Sequence, residues 1–158
     1  MKRFLVAILV FGSLGSIADA ESTIFIVRHA EKAESGGNDP DLSDAGRARA
    51  EALAKALSDA NITAIYVTEF KRTQQTAAPL TRVLGIEATI RPAQASDFAI
   101  KLRSTVGNVL VVGHSNTVPE LIKQLGVTTS IKLADHDYDN LFIVVLDPKP
   151  RLIRLHYR

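Results

Sequence analysis

The hydrophobic pattern of the chain consists of short apolar runs separated by longer amphipathic or polar segments. Continuous apolar runs are typical of strands buried on both faces, because a strand with one solvent-exposed face alternates apolar and polar residues. Such runs predict buried strands over residues 22–27, 64–68 and 108–112. Further strands are predicted over residues 87–90, where the pattern is weak, and over 141–146 and 152–156.

Most segments between these strands carry apolar residues at helical spacing. They predict helices over residues 43–57, 72–84, 96–103 and 116–125. Ser43 is suited to cap the first helix, and either Asn116 or Thr117 to cap the last. Gly85 is a natural stop for the second helix. Pro79 inside that helix is expected to cause a kink, because proline cannot donate a backbone hydrogen bond.

The alternation of strands and helices predicts an α/β fold with a mostly parallel central sheet and helices on both faces. Only residues 147–150 separate the last two predicted strands, so these should form a hairpin and give the sheet an antiparallel C-terminal edge. In such sheets the ligand crevice lies beyond the carboxyl ends of the strands. The strand exits are therefore where functional residues are expected.

The first residues of the chain have the layout of a secretory signal peptide. Lys2 and Arg3 precede an apolar stretch, and Ala18-Asp19-Ala20 supplies the small residues of a cleavage site. The apolar stretch is shorter than the ~20 residues that span a bilayer, so a membrane anchor is disfavoured. We expect residues 1–20 to be a bacterial signal peptide, residues 21–158 to form one domain, and the protein to be periplasmic or secreted, without stable membrane insertion after cleavage.

Composition narrows the possible functions. The formal net charge is only +2 for 158 residues, and no run of Lys and Arg stands out, which argues against nucleic-acid binding. The absence of cysteine excludes disulfides. Spacing typical of metal ligands is also missing, apart from Asp135-His136-Asp137, and adjacent residues rarely form a site alone.

Cationic and imidazole side chains stand at three predicted strand exits. Arg28 and His29 follow the first strand, Arg72 lies shortly after the second, and His114 follows 108–112. Converging guanidinium groups repel each other unless an anion lies between them, and their forked donors match phosphate oxygens. Helix N-termini at the same place also favour an anion. One such pair alone would suggest a buried histidine beside a surface cation, but all four residues together predict a phosphate pocket.

A histidine in such a pocket has an evident chemical use. A neutral imidazole can attack phosphorus and divide hydrolysis into two easier steps. A second, protonated histidine would stabilise the charge on the phosphoryl oxygens. Polar residues before the fifth strand, including His136 and Tyr138, are interpreted as a turn rather than as part of this pocket, and Glu31 and Lys32 as a solvated pair.

Four motifs in order resemble the histidine phosphatase superfamily, which includes the phosphoglycerate mutase-like enzymes. They are IFIVRHAEKA, LSDAGRARA, TEFKRTQQTAAPL and VLVVGHSNT. The resemblance implies a three-layer α/β/α sandwich and a chemistry that needs no metal or other cofactor. It implies that His29 is the nucleophile, that Arg28 and Arg72 bind the phosphoryl group, and that His114 hydrogen-bonds its oxygens.

The general acid that protonates the leaving group is less evident. One branch of the family has aspartate directly after the second histidine, where this chain has Ser115. Another branch has glutamate after the third strand, and here Asp97 is the nearest carboxylate. Glu31 and Glu120 are alternatives, because only substrate geometry selects a proton donor. An enzyme without a dedicated acid would favour good leaving groups such as phosphoramidates.

The sequence therefore predicts a secreted, metal-independent phosphatase that hydrolyses phosphomonoesters or phosphoramidates through phospho-His29. Few residues separate Arg72 from His114 beyond those of the predicted elements, so the pocket should be open, and a mutase, which needs a closed site, is disfavoured. The substrate could be a small molecule, a glycan phosphate or a phosphoprotein. A non-catalytic phosphate-binding protein and a structural envelope protein are the alternatives.

Overall fold

The computed structural model describes residues 22–93, 97–146 and 149–158; the predicted signal segment 1–20 lies outside them. The elements are β1 (Thr23–Arg28), α1 (Asp44–Leu57), β2 (Ile62–Val67), α2 (Lys71–Leu84), β3 (Ala88–Ile90), α3 (Phe98–Arg103), β4 (Asn108–Gly113), α4 (Thr117–Gln124), β5 (Asn140–Val145) and β6 (Arg151–His156). None of the helices in the described residues is both long and apolar enough to span a membrane.

The strands form a six-stranded mixed sheet in the order β3-β2-β4-β1-β5-β6. Strands β1 to β4 pair in parallel, whereas β5 pairs antiparallel with β1 and β6 antiparallel with β5. This confirms the predicted α/β class, the mostly parallel sheet and its antiparallel C-terminal edge. In the centre of the sheet Arg28 is in register with Gly113, so β1 and β4 end side by side.

Side chains of the central strands are buried on both faces of the sheet. In β1, Ile24 and Ile26 belong to a core cluster that includes residues of α3 and α4. Phe25 and Val27 point the other way, into a cluster with residues of α1 and α2. The apolar run of β1 is continuous because this central strand supplies residues to both cores.

Local signals account for several helix ends. The Ser43 hydroxyl accepts a hydrogen bond from the Gly46 N–H at 3.1 Å, as expected for an N-cap. Gly85 ends α2 in the left-handed conformation, with φ of +66°, and α2 continues through Pro79 to that end. At α4, however, the side chain of Asn116 makes no capping bond, and the Thr117 hydroxyl instead accepts from the His114 N–H at 2.9 Å.

Candidate active site

The ends of β1 and β4 bring the two predicted histidines together. The backbone N–H of His29 donates to the carbonyl of Gly113 at 2.9 Å, which continues the ladder one residue beyond β1. The imidazole rings of His29 and His114 consequently have centroids 5.3 Å apart. Arg72, in the first turn of α2, places Nη2 3.5 Å from Nδ1 of His114.

A cavity of about 400 Å³ lies in front of these residues. All four residues predicted to hold a phosphoryl group line it. Its lining comprises Arg28, His29, Lys32, Asn38, Phe70, Arg72, Ala93, His114, Ser115, Asn116 and Thr117. Three cationic side chains and two imidazoles, with no carboxylate among the lining residues, make the cavity suited to an anion.

His29 is held in one tautomer. Its Nδ1 lies 2.8 Å from the carbonyl oxygen of Ala30, which can only accept, so Nδ1 carries the proton and Nε2 keeps its lone pair. Burial, together with the charges of His114, Arg72 and Arg28, lowers the pKa of His29 to about 4, against the opposing hydrogen bond to Ala30. The ring is therefore a neutral nucleophile at neutral pH.

His114 is oriented by a hydroxyl that the sequence analysis did not consider. Its Nε2 lies 3.0 Å from Oγ1 of Thr68, which follows β2, and Thr68 Oγ1 is in turn 3.0 Å from Oγ1 of Thr73. Burial and the adjacent Arg72 lower the pKa of His114 to about 4. His114 is thus neutral at neutral pH, and an anion bound beside it would favour its protonation.

Arg28 is fixed by the segment that precedes β5. Its Nη1 donates to the carbonyls of Ala134 at 2.9 Å and Asp135 at 3.1 Å, and its guanidinium lies 4.2 Å from the ring centroid of Tyr138. The Tyr138 ring is also 6.1 Å from that of His29. Tyr138, interpreted as part of a turn, thus supports Arg28 beside His29, although it is not among the residues that line the cavity.

Arg72 is steadied by an aromatic ring and an acidic loop residue. Its guanidinium lies 4.3 Å from the ring centroid of Phe70, whose ring also contacts His114 edge-on with centroids 5.3 Å apart. Nη1 of Arg72 is 3.6 Å from Oδ1 of Asp39, an oxygen that also accepts from the Lys71 N–H. Arg72 is thus held near His114 by contacts on both sides.

The carboxylates considered as general acids lie outside the set of cavity-lining residues. Asp97 directly precedes α3, where its Oδ1 is 3.3 Å from Nη2 of Arg91 and its side chain is largely exposed. The structure therefore groups Arg28, His29, Arg72 and His114 but leaves Asp97 outside the group, and its role stays a prediction. Glu120 accepts from the side chain of Gln124, the next turn of α4.

Glu31 is paired in a way that the sequence did not reveal. Its carboxylate accepts hydrogen bonds from Arg49 of α1 at 2.6 to 2.9 Å, rather than pairing with Lys32. Burial raises the pKa of Glu31, but the hydrogen bonds and charge of Arg49 outweigh burial and hold that pKa below its usual range. Lys32 is exposed, as interpreted, and it also lines the cavity.

Within the described ranges, no cluster of three or more His, Cys, Asp or Glu side chains could hold a metal ion. The reactive groups of the site are its two imidazoles and its guanidiniums. A neutral imidazole beside three cations is an arrangement that can attack a bound phosphoryl group.

Comparison with known proteins finds a matching family model and several similar structures. The model of the histidine phosphatase superfamily (branch 1) matches residues 24–95. The structure of the protein histidine phosphatase SixA complexed with tungstate is similar, with a TM-score of 0.70 and 20% identity over 85% of this chain and 96% of SixA. No curated protein sequence matches the chain.

Two mycobacterial structures have the same fold. One is mycobacterial hydrolase 1, with a TM-score of 0.65 and 14% identity over 83% of this chain and 96% of that one. The other is a glucosyl-3-phosphoglycerate phosphatase with inorganic phosphate, with a TM-score of 0.62 and 14% identity over 83% and 95% of the two chains. At these low sequence identities, the similarity to both structures shows a shared fold only.

The family match and the fold together define the class of this protein, which is a phosphatase. Residues 24–95 of the chain match the model of the histidine phosphatase superfamily, as the resemblance of its motifs implied.

Proposed function

We propose that this protein is a metal-independent phosphatase that hydrolyses phosphomonoesters or phosphoramidates through a covalent phosphohistidine on His29. The observation that carries the proposal is the cavity that His29, with Nε2 left unprotonated, shares with Arg28, Arg72 and His114 and that has no carboxylate among its lining residues. We further propose that the protein works outside the cytoplasm after removal of residues 1–20.

The reaction follows from the positions of these groups. Arg28 and Arg72 hold the phosphoryl oxygens, and Nε2 of His29 donates its lone pair to phosphorus while the bond from phosphorus to the leaving oxygen or nitrogen breaks. Protonated in the presence of the anion, His114 stabilises the charge that develops on the oxygens. A water molecule then attacks the phosphohistidine, breaks its P–N bond and releases inorganic phosphate.

The carboxylate-free cavity favours particular leaving groups. With no acid among the lining residues, the departing group must leave with little help in protonation. Aryl phosphates satisfy this condition, and so do phosphoramidates that are already protonated on nitrogen. SixA, the structural neighbour described as a protein histidine phosphatase, has a substrate with such a P–N bond. Phosphoramidates are therefore the preferred natural substrate class.

The test is release of phosphate from 4-nitrophenyl phosphate and from phosphoramidate in the presence of EDTA. We expect turnover by the wild type, loss of activity in His29→Ala and little change in the control His156→Ala, whose ring is exposed on β6. An acid-labile phosphoryl adduct should form on the wild type and be absent from His29→Ala. Full activity of a folded His29→Ala protein would disprove the mechanism.

The site of action needs a separate measurement. In a bacterial host we expect the protein in the periplasmic fraction or medium to begin at Glu21, as shown by intact mass. Recovery of the unprocessed chain in the cytoplasm alone would contradict the proposal on location.

A non-catalytic phosphate-binding protein is the second candidate, and the absence of a carboxylate from the cavity lining is what favours it. Phosphate or tungstate would then stabilise the protein against unfolding, because a ligand that binds the folded state raises stability. No phosphorylated compound would be turned over. The two candidate functions thus predict different results when phosphorylated compounds are tested for turnover. They predict the same result in the binding assay.

A further inference from the structure

A second cavity, here called the α4 groove, adjoins the phosphate cavity. It has a volume of about 370 Å³ and lies between the carboxyl ends of β2 and β4, the face of α4 and the residues after β3. Ala93, Asn116 and Thr117 line both cavities. The two cavities therefore adjoin each other at these residues.

The lining of the α4 groove is mainly apolar and partly aromatic. Tyr66 and Phe98 meet edge-on with ring centroids 5.2 Å apart, and Val118 and Leu121 of α4 also line the groove. A pocket of a few hundred Å³ with apolar walls and few polar groups is typical of a small-molecule site. The wall favours an apolar or aromatic moiety.

The charged groups of the α4 groove restrict what enters it. Arg91 lies 5.5 Å from the ring centroid of Phe98, and its charge is balanced by Asp97 at 3.3 Å. Glu120, also in the lining, presents a carboxylate that would repel a second anionic group. A leaving group that carries its own phosphate or carboxylate is thus disfavoured, and an uncharged one fits.

We propose that the α4 groove is the leaving-group subsite of this enzyme and that it accepts an uncharged aromatic ring attached to the phosphoryl group. This inference rests on the proposed function, since it takes the phosphate to bind at His29. It adds a substrate class, because the phosphate cavity favours leaving groups that need little protonation but does not select their shape or polarity. It also gives Asp97 a part other than acid catalysis, which is to neutralise Arg91 at the groove.

The test uses phosphonates, whose P–C bond is not hydrolysed, so that binding is measured apart from turnover. Benzylphosphonate carries a ring for the α4 groove, whereas methylphosphonate reaches the phosphate cavity only. We expect calorimetry to show that the wild type binds benzylphosphonate at least about tenfold more tightly, from burial of the ring. A carboxylate added to the ring should abolish this gain in affinity in the wild type. The Glu120→Gln variant should recover part of the gain for the carboxylated ligand.

Two variants of α4 make a matched pair. Glu120→Trp introduces a large ring into the α4 groove, and Lys123→Trp introduces the same ring on an exposed part of the helix outside its lining. We expect Glu120→Trp to reduce the preference for benzylphosphonate to less than about threefold while methylphosphonate affinity is unchanged. Lys123→Trp should keep the wild-type preference.

The outcomes separate this inference from the proposed function. Equal binding of both phosphonates by the wild type, or equal losses for both in Glu120→Trp, would overturn the leaving-group subsite while leaving hydrolysis through His29 intact. Preferential binding of benzylphosphonate without hydrolysis of any aryl phosphate would retain the subsite and overturn the catalytic proposal. Failure to bind either phosphonate would overturn both.

Discussion

Arg28 is held in the site by two backbone carbonyls and one aromatic ring, and the ring is the part that a substitution can remove. Tyr138→Leu deletes the face on which the guanidinium lies at 4.2 Å. A cation–π contact contributes about 0.5 to 2 kcal/mol, so we expect phosphate affinity to fall roughly two- to thirtyfold. Tyr138→Phe keeps the ring and should bind phosphate like the wild type. Equal losses in both variants would show that the hydroxyl, not the ring, matters.

Thr68 should act on catalysis through His114. Thr68→Val keeps the shape of the side chain but removes the hydroxyl that lies 3.0 Å from Nε2 of His114. We expect kcat to fall about tenfold, since a buried polar group left without its partner costs about 1–3 kcal/mol. KM should change little, because the arginines still bind the phosphoryl group. Thr68→Ser, which restores the hydroxyl, should recover most of kcat, and failure of this rescue would contradict the assigned role.

At the scale of single residues, the sequence predicted the groups with chemical character but not those that position them. Arg28, His29, Arg72 and His114 could be found because a parallel sheet brings its strand exits to one edge. Thr68 stands at such an exit as well, yet a threonine has no reactivity that draws attention to it. The contact between Tyr138 and Arg28 spans most of the chain, and only tertiary packing determines it.

The connection from β1 to α1 shows how closely two elements approach behind the nucleophile. A Cβ on Gly46 would lie 2.1 Å from the carbonyl oxygen of Glu31, which is backbone and cannot give way. That same carbonyl accepts from the Ser43 N–H at 2.9 Å. α1 can therefore pack against the segment that follows His29 only with glycine at this position.

Gly46→Ala should for this reason destabilise the fold and displace the segment behind His29. We expect a loss of about 3 kcal/mol or more in the free energy of unfolding, as for severe overpacking, together with reduced kcat. Chemical denaturation and steady-state kinetics measure the two effects. Gly37→Ala is the control: its Cβ meets nothing within 4 Å, and its φ of +66° costs only about 1–2 kcal/mol. Similar losses in both variants would refute the contact as the cause.

The helices and strands, and approximately where each begins and ends, could be predicted from local signals. These signals are the apolar runs, the Ser43 cap and the Gly85 stop. The ion pair of Glu31 with Arg49 was missed for a different reason. It joins the segment after β1 to the middle of α1, and a sequence pattern does not show which of several cations a carboxylate faces. Proximity in sequence favours Lys32 as the partner of Glu31, whereas the fold brings Arg49 to Glu31.

At the scale of the whole molecule, the alternation of strands and helices was sufficient to predict the fold class and a single crevice shared by the strand exits. The order of the strands, in which β4 lies between β1 and β2, was not predicted. That order determines the site, because it makes the exits of β1, β4 and β2 neighbours. The α4 groove depends on it too, since its walls come from the adjacent ends of β2 and β4.

The two buried histidines should make the stability of the whole molecule depend on pH. Burial lowers the pKa of His29 and of His114 to about 4 each, whereas an unfolded chain titrates histidine near ~6.5. Between these values the unfolded state binds protons that the folded state does not, so stability is fully present above pH ~6.5 and is lost as pH falls towards about 4. The loss is on the order of 3 kcal/mol for each histidine.

Urea denaturation at a series of pH values between 7 and 4 measures this dependence. The double variant His29→Asn/His114→Asn should flatten the slope, whereas His136→Asn, which removes an exposed imidazole, should keep it. Glu31 and Asp139, whose pKa values are lowered, add to the loss only at the acid end of this window and below it, where carboxylates of the unfolded chain protonate. Tungstate should reduce the slope in the wild type, because a bound anion favours the protonated imidazoles. An unchanged slope in the double variant would show that the pH dependence arises elsewhere in the molecule.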